Sequence, residues 1–151
     1  MIISFVLKRE LSNLSEQFIY LTTKGRVTGN NHTVELWFAY GEGKVFISHE
    51  GEYTDWMKNI QNNPDVEFKI GGEREIGSQY NYKLPYDILP NLERLSGTSR
   101  IIINNSQEFE DGKYALYEKY YGKDSKEVVD DWFSLSTILV IIPELHSDAK
   151  E

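Results

Sequence analysis

The sequence predicts a small antiparallel β-barrel with helices packed outside it, a mainly β (α+β) fold of about six to seven short strands. Three observations predict it. Short β-branched and aromatic runs follow one another at hairpin spacing, Gly-rich turns separate them, and a single helical pattern interrupts the strands before two more arrive near the C-terminal end.

Residues 17–23, Gln-Phe-Ile-Tyr-Leu-Thr-Thr, make the first strand, and a polar loop carries the chain to a second over 33–40. The Gly41-Glu42-Gly43 turn then returns it into 44–48, where Val45, Phe46 and Ile47 suit a third strand in a hairpin. Thr54 stands where an N-cap belongs, with Asp55 in the first turn and Trp56, Met57 and Ile60 as the buried stripe of a short helix that Pro64 closes. Residues 66–70 read as the next strand, and Gly71-Gly72 as a two-residue turn into another at 73–76. Between 77 and 97, Tyr80 and Tyr82 alternate as in a strand while Pro85 and Pro90 break any long element, so this stretch is expected to be an insertion. A strand at 98–104 precedes a helix capped near Ser106 and stopped at Gly122. In the helix after it, Val128, Val129, Trp132 and Phe133 have the spacing of one core-facing side. Residues 137–142 form a continuous apolar run, expected as a strand covered on both faces and ended by Pro143; 144–151 reads as a frayed tail.

At 151 residues the chain should fold as a single domain, 1–151. Its 16 Lys and Arg against 24 Asp and Glu give a net charge of −8, which opposes nucleic acid and anionic lipid as partners. With no cysteine there is no disulfide framework, thiol catalysis or thiolate metal site. His32, His49 and His146 lack paired ligand spacing, so no metal centre is expected, and no Gly-x-Ser-x-Gly elbow supports a hydrolase. The N-terminus does not read as a signal peptide and no run approaches the ~20 apolar residues of a membrane span, so a cytoplasmic location is expected. Asn-x-Ser/Thr matches at Asn13, Asn31 and Asn104 are read as chance.

One window departs from the acidic composition. Residues 22–34, Thr-Thr-Lys-Gly-Arg-Val-Thr-Gly-Asn-Asn-His-Thr-Val, contain no acid. Lys24 and Arg26 supply charge, Thr28 and Thr33 supply hydroxyls, and Gly25 and Gly29 permit close approach of backbone N–H groups. The pattern suits a phosphate site, and equally a polar connection between strands, since Gly, Asn and Thr are common turn residues. Tyr114, Tyr117 and Tyr121 recur at i, i+3 and i+7 in the penultimate helix, as a pocket for a planar acceptor or as the edge of a core.

Residues 21–29, Leu-Thr-Thr-Lys-Gly-Arg-Val-Thr-Gly, followed by His32-Thr-Val-Glu-Leu-Trp-Phe38, resemble the deazaflavin (coenzyme F-420)-dependent nitroreductase family. Asp55-Trp56-Met57-Lys58-Asn59 and Asn63-Pro64 resemble that family's Asp-Trp-x-x-Asn helix and the Asn-Pro behind it, so the likeness covers about residues 18–72. The resemblance implies a split β-barrel of the FMN-binding type, usually a homodimer, that passes a hydride from a deazaflavin coenzyme, or in related barrels FMN, to a nitro compound or quinone. It also implies roles for individual residues. Arg26, Thr28 and Gly29, with Lys24 and Thr33 beside them, match the loop that holds the cofactor's phosphate or polar tail, and His32 stands where an arginine is common. Leu36 and Trp37 match positions beside the ring system; Asp55, Trp56 and Asn59 match the helix motif. Ser48 is expected at the cofactor, where relatives have a small-residue and lysine turn that helps hold it; beside it this chain places the carboxylate of Glu50, and the 77–97 stretch looks inserted. No catalytic acid or base is implied. The rival expectation is a carrier or sensor that binds such a cofactor without turnover.

Overall fold

A computed structural model describes residues 17–71 and 75–144 of the chain. Seven strands form one antiparallel sheet: β1 (Phe18–Lys24), β2 (Asn31–Trp37), β3 (Ala39–Gly41), β4 (Lys44–Glu50), β5 (Asp65–Gly71), β6 (Leu95–Ile101) and β7 (Ser136–Pro143). Three helices accompany it, α1 (Asp55–Asn62), α2 (Gln107–Tyr121) and α3 (Lys126–Trp132).

The sheet order is β2-β1-β5-β6-β7-β4-β3, so β2 and β3 occupy opposite edges although only Phe38 separates them in sequence. A flat seven-stranded sheet would hold its edges roughly 28 Å apart at the usual strand spacing, and one residue cannot span that distance. The sheet therefore curls until its edges meet, giving a split half-barrel. The expected single strand at 33–40 is divided at Phe38, because its first part pairs with β1 and its last with β4.

Alternation along the strands puts Ile19, Leu21, Val45, Ile47, Leu139 and Ile141 inside the barrel, where Trp56, Met57 and Ile60 of α1 join them. The outer faces are buried too. Ile138, Val140 and Phe46 lie under Phe109, Leu116 and Tyr117 of α2, with Val129 and Phe133 beside them, and Phe18 and Tyr20 lie under Ile88. Cover on both faces explains why β1 and β7 read as unbroken apolar runs. Between β3 and β4, Glu42 and Gly43 both have positive φ (55° and 75°), the conformation of a tight two-residue hairpin turn.

Several expectations require correction. Glu75 and Ile76 belong to no strand, and the rest of the expected 71–76 hairpin, 72–74, lies outside the described residues; β5 pairs with β1 and β6 instead. The strand expected at 98–104 begins at Leu95, so 95–97 of the expected insertion belong to the barrel. The rest of that insertion, with Glu75 and Ile76 before it, covers the outer face of β1 and β2 over 75–94, touching β2 through a bridge between Thr33 and Leu84. Only Val129 and the C-cap residue Phe133 are buried at α3, whereas Val128 and Trp132 stay exposed: with seven residues the helix presents one turn to the core. Thr54 is the N-cap of α1, yet its hydroxyl makes no capping bond.

Candidate active site

The acid-free loop after β1 closes on itself and on α1. Gly25 N–H donates to Asn30 O (2.8 Å) and Gly29 N–H to Gly25 O (2.8 Å), while Asn30 N–H donates to Thr28 Oγ1 (3.2 Å). Gly29, at φ 76°, thus serves the turn, and its N–H is taken up within the loop. Arg26 reaches across to α1. Its backbone N–H and one guanidinium nitrogen both donate to Asn59 Oδ1 (3.2 and 2.8 Å), and its other terminal nitrogen pairs with Asp55 (3.2 Å). Asn59, itself buried, passes its amide N–H on to Thr23 Oγ1 at 3.1 Å. The Asp-Trp-x-x-Asn spacing places Asp55 and Asn59 one turn apart on the same side of α1, which is why one arginine meets both.

Beside this brace lies a cleft of about 480 Å³. Asn31, His32, Thr33 and Val34 of β2 form one wall, Thr54, Asp55 and Trp56 at the start of α1 a second, and Tyr82, Lys83 and Leu84 of the cover segment the third. The bare Cα of Gly25 lets the His32 ring pack close, since a Cβ there would stand 3.0 Å from Nε2. Trp56 serves both readings of a buried tryptophan: it belongs to the barrel core, lines the cleft, and meets the His49 ring edge-on at 6.2 Å. Among the described residues Asp55 is the only carboxylate in the wall, and Arg26 pairs with it.

The cover segment is pinned from beneath by half-buried Glu35 and buried Lys69. One Glu35 oxygen accepts from Tyr20 Oη (2.9 Å) and from the N–H groups of Ile76 (2.8 Å) and Gly77 (3.0 Å). Burial, then the bond to Glu35 and its charge, pushes the Tyr20 phenol well above its ordinary range. Lys69, 5% exposed, donates to the carbonyls of Ile88 (2.9 Å) and Leu89 (3.2 Å), and burial followed by the nearby Arg94 charge lowers its ammonium pKa. Nothing in the sequence announced this network, because its members lie on separate strands with no shared motif.

The remaining expected site residues disperse. Leu36 faces the barrel core, and Trp37, its neighbour, points to the opposite face of β2 and stacks on Tyr120 at 4.3 Å. Thr28 stays in the exposed loop, Lys24 lines a separate polar cleft between β1 and β6, and Ser48 pairs with Ile138 in the β4–β7 ladder. Of the three tyrosines, Tyr117 and Tyr121 join Trp37, Tyr120 and Trp132 in one aromatic cluster, where Trp37, Tyr121 and Trp132 are 43, 49 and 52% exposed. Tyr117 is buried and donates to Asp124 (3.1 Å). Tyr114 instead lines a wide groove between β3 and α2. Among the described residues no group of three His, Asp or Glu side chains could hold a metal ion, and no helix is long and apolar enough to cross a membrane.

Solved structures share this architecture. A conserved hypothetical protein from Mycobacterium tuberculosis superimposes with a TM-score of 0.63 at 18% identity, over 93% of this chain and 79% of its own. The heme storage protein HutZ from Vibrio cholerae gives 0.61 at 16% identity, over 93% and 92%. A structure described as an F420 reductase gives 0.53 at 19% identity, over 89% and 92%. At these identities the likeness shows the fold, a split barrel. No curated protein matches the sequence. The family model for F420H(2)-dependent quinone reductase matches residues 8–87, a span that holds the Arg26 brace and all three walls of the cleft. The chain belongs to the F420H(2)-dependent quinone reductase family.

Proposed function

We propose that this protein is an oxidoreductase that binds the deazaflavin coenzyme F-420 with its polar chain in the cleft between β2, α1 and the cover segment, and that delivers a hydride to a quinone or nitro compound. The observation that carries this reading is the cleft itself: polar walls of Asn31, His32, Thr33 and Thr54 whose one carboxylate among the described residues, Asp55, is neutralised by Arg26. Such a donor set fits a phosphorylated chain, and Trp56 supplies an apolar plate at its side. When bound, the deazaflavin supplies the hydride chemistry; the chain binds, orients and excludes water. Trp37, Tyr121 and Trp132, at the far end of β2, form an aromatic shelf suited to a planar acceptor, with Tyr117 beneath it.

Arg26 acts in this reading by cancelling Asp55 and fixing the loop onto α1, while Thr28 and Gly29 shape the turn. Arg26→Ala leaves a bare carboxylate facing an anionic ligand and is expected to weaken F-420 binding by roughly 10-fold or more, since repulsion between like charges about 4 Å apart near a protein surface is worth on the order of 1–4 kcal/mol and 1.4 kcal/mol is a decade. Adding Asp55→Asn to Arg26→Ala should restore most of that loss. Fluorescence titration checks both variants, with FMN titrated in parallel as the competing cofactor. A double variant as weak as the single one would show that Arg26 touches the ligand directly.

A non-catalytic carrier is favoured by one observation, the likeness in fold to a heme storage protein. Turnover of reduced F-420 with menadione separates the two readings. A homodimer, a cytoplasmic location and FMN as alternative cofactor complete the proposal. The dimer draws support from a similar fold described as a domain-swapped dimer, and a monomeric mass by light scattering would remove it.

A further inference from the structure

We infer that Lys83, carried by the cover segment, is the cation that meets a phosphoryl group in the cleft; the inference rests on the reading of that cleft as a cofactor site. Three features point to it. Lys83 lines the cleft together with Asn31, His32 and the start of α1, and no carboxylate pairs with it among the described residues. Arg26, the other cation nearby, already has Asp55 and Asn59 as partners, so among the described residues lining the cleft Lys83 is the lysine or arginine whose charge is free to attract an anion. The segment also holds Lys83 in place at some cost. Asn81 and Tyr82 are both left-handed (φ 56° and 59°), a conformation that a bulky residue such as tyrosine rarely adopts.

That conformation is locked by a run of local bonds. Asn81 N–H donates to Ser78 O, Tyr82 N–H to Gly77 O and Lys83 N–H to Tyr80 O, and the Tyr82 hydroxyl donates to Glu75 at 2.7 Å. Leu84 then bridges to Thr33 of β2. The residue between a tethered tyrosine and a strand bridge has little backbone freedom, so its side chain is presented to the cleft from a fixed point. In a chain of net charge −8, a lysine without a carboxylate partner among the described residues is, in such a place, a specific departure from its surroundings.

The experiment uses the full chain and its Lys83→Gln variant. Lys83 is exposed, so the variant should keep the wild-type melting temperature. Two ligands are titrated through tryptophan fluorescence, coenzyme F-420 and the phosphate-free deazaflavin riboside. Lys83→Gln is expected to weaken F-420 about 10-fold or more and leave the riboside unchanged, with Lys83→Arg recovering most of the affinity. Equal losses for both ligands, or no loss for either, would overturn the assignment. Inorganic pyrophosphate is titrated against the isotopically labelled protein as an independent arm. Shifts of residues 31–34, 54–56 and 82–84 that vanish in Lys83→Gln support the lysine even where F-420 itself fails to bind, an outcome that would defeat the cofactor reading alone. Pyrophosphate shifts that persist in Lys83→Gln would overturn it.

Discussion

Individual side chains show where charge has been arranged for structure and where it has been left available. Glu108, in the first turn of α2, accepts from Arg100 through both oxygens (2.5 and 2.8 Å) and from Lys44 (2.6 Å), which ties the helix to β6 and β4. The Arg100 bonds first, opposed by burial and reinforced by Lys44, hold its carboxyl down at about 2. A depressed carboxylate contributes stability that is fully present above its ordinary pKa and is lost as pH falls through the folded value. Glu108→Gln is therefore expected to cost about 1–3 kcal/mol near neutrality. The gap from wild type should narrow below about pH 4.5 and close near pH 2. Urea unfolding at a series of pH values measures it, and a gap independent of pH would refute the linkage. Arg26 shows what reading residues singly leaves out: it stands in an acid-free window, while the carboxylate that pairs with it, Asp55, lies one element later in sequence.

Among the elements, α2 illustrates how close packing depends on one missing side chain. Gly112 faces the sheet, and a Cβ there would stand 2.9 Å from Phe46 Cδ1 and 3.2 Å from Ile138 Cγ2. Gly112→Ala gains about 1 kcal/mol of helix propensity but overpacks this contact at about 1–3 kcal/mol, so a net loss near 1 kcal/mol and a melting point lower by a few degrees are expected. A higher melting point would show that the helix can retreat without loss. Most elements were legible in the sequence because burial follows their period: the strands around Ile19, Val45 and Ile138, the stripe of α1, and the Ser106 and Gly122 ends of α2 all stand where pattern and caps put them. The cover segment was not legible, since tight turns, one bridge, half-buried Glu35 and buried Lys69 hold it instead of a periodic face. The tyrosine spacing was legible as a helix face. Tyr114 and Tyr121 share a side of α2 yet lie about 10 Å apart along it, so only Tyr121 reaches Trp37.

The whole molecule turns on Phe38, the single residue through which the curled sheet joins its two edges. Its side chain is fully buried, and its backbone leaves the β1–β2 ladder before the β3–β4 ladder begins, so neither strand pairing satisfies it. Tyr120 supplies what the ladders omit. Its hydroxyl accepts from Phe38 N–H (2.9 Å) and lies 2.7 Å from the carbonyls of both Phe38 and Gln17, one of which receives its proton at a time. Burial pushes this phenol up to about 12, so the bond persists across the physiological range. Tyr120→Phe keeps the ring and its stack on Trp37 while stripping the hydroxyl, which leaves a buried N–H without a partner. The expected cost is about 1–3 kcal/mol, against about 0.5 kcal/mol or less for the exposed Tyr80→Phe control. Amide exchange gives the site-specific reading: the Phe38 N–H should exchange much faster in Tyr120→Phe, while amides in the centre of β7 change only as the global stability does. Unchanged exchange at Phe38 together with unchanged stability would mean that the barrel closes without this hydroxyl, through the side-chain burial of Phe38 alone.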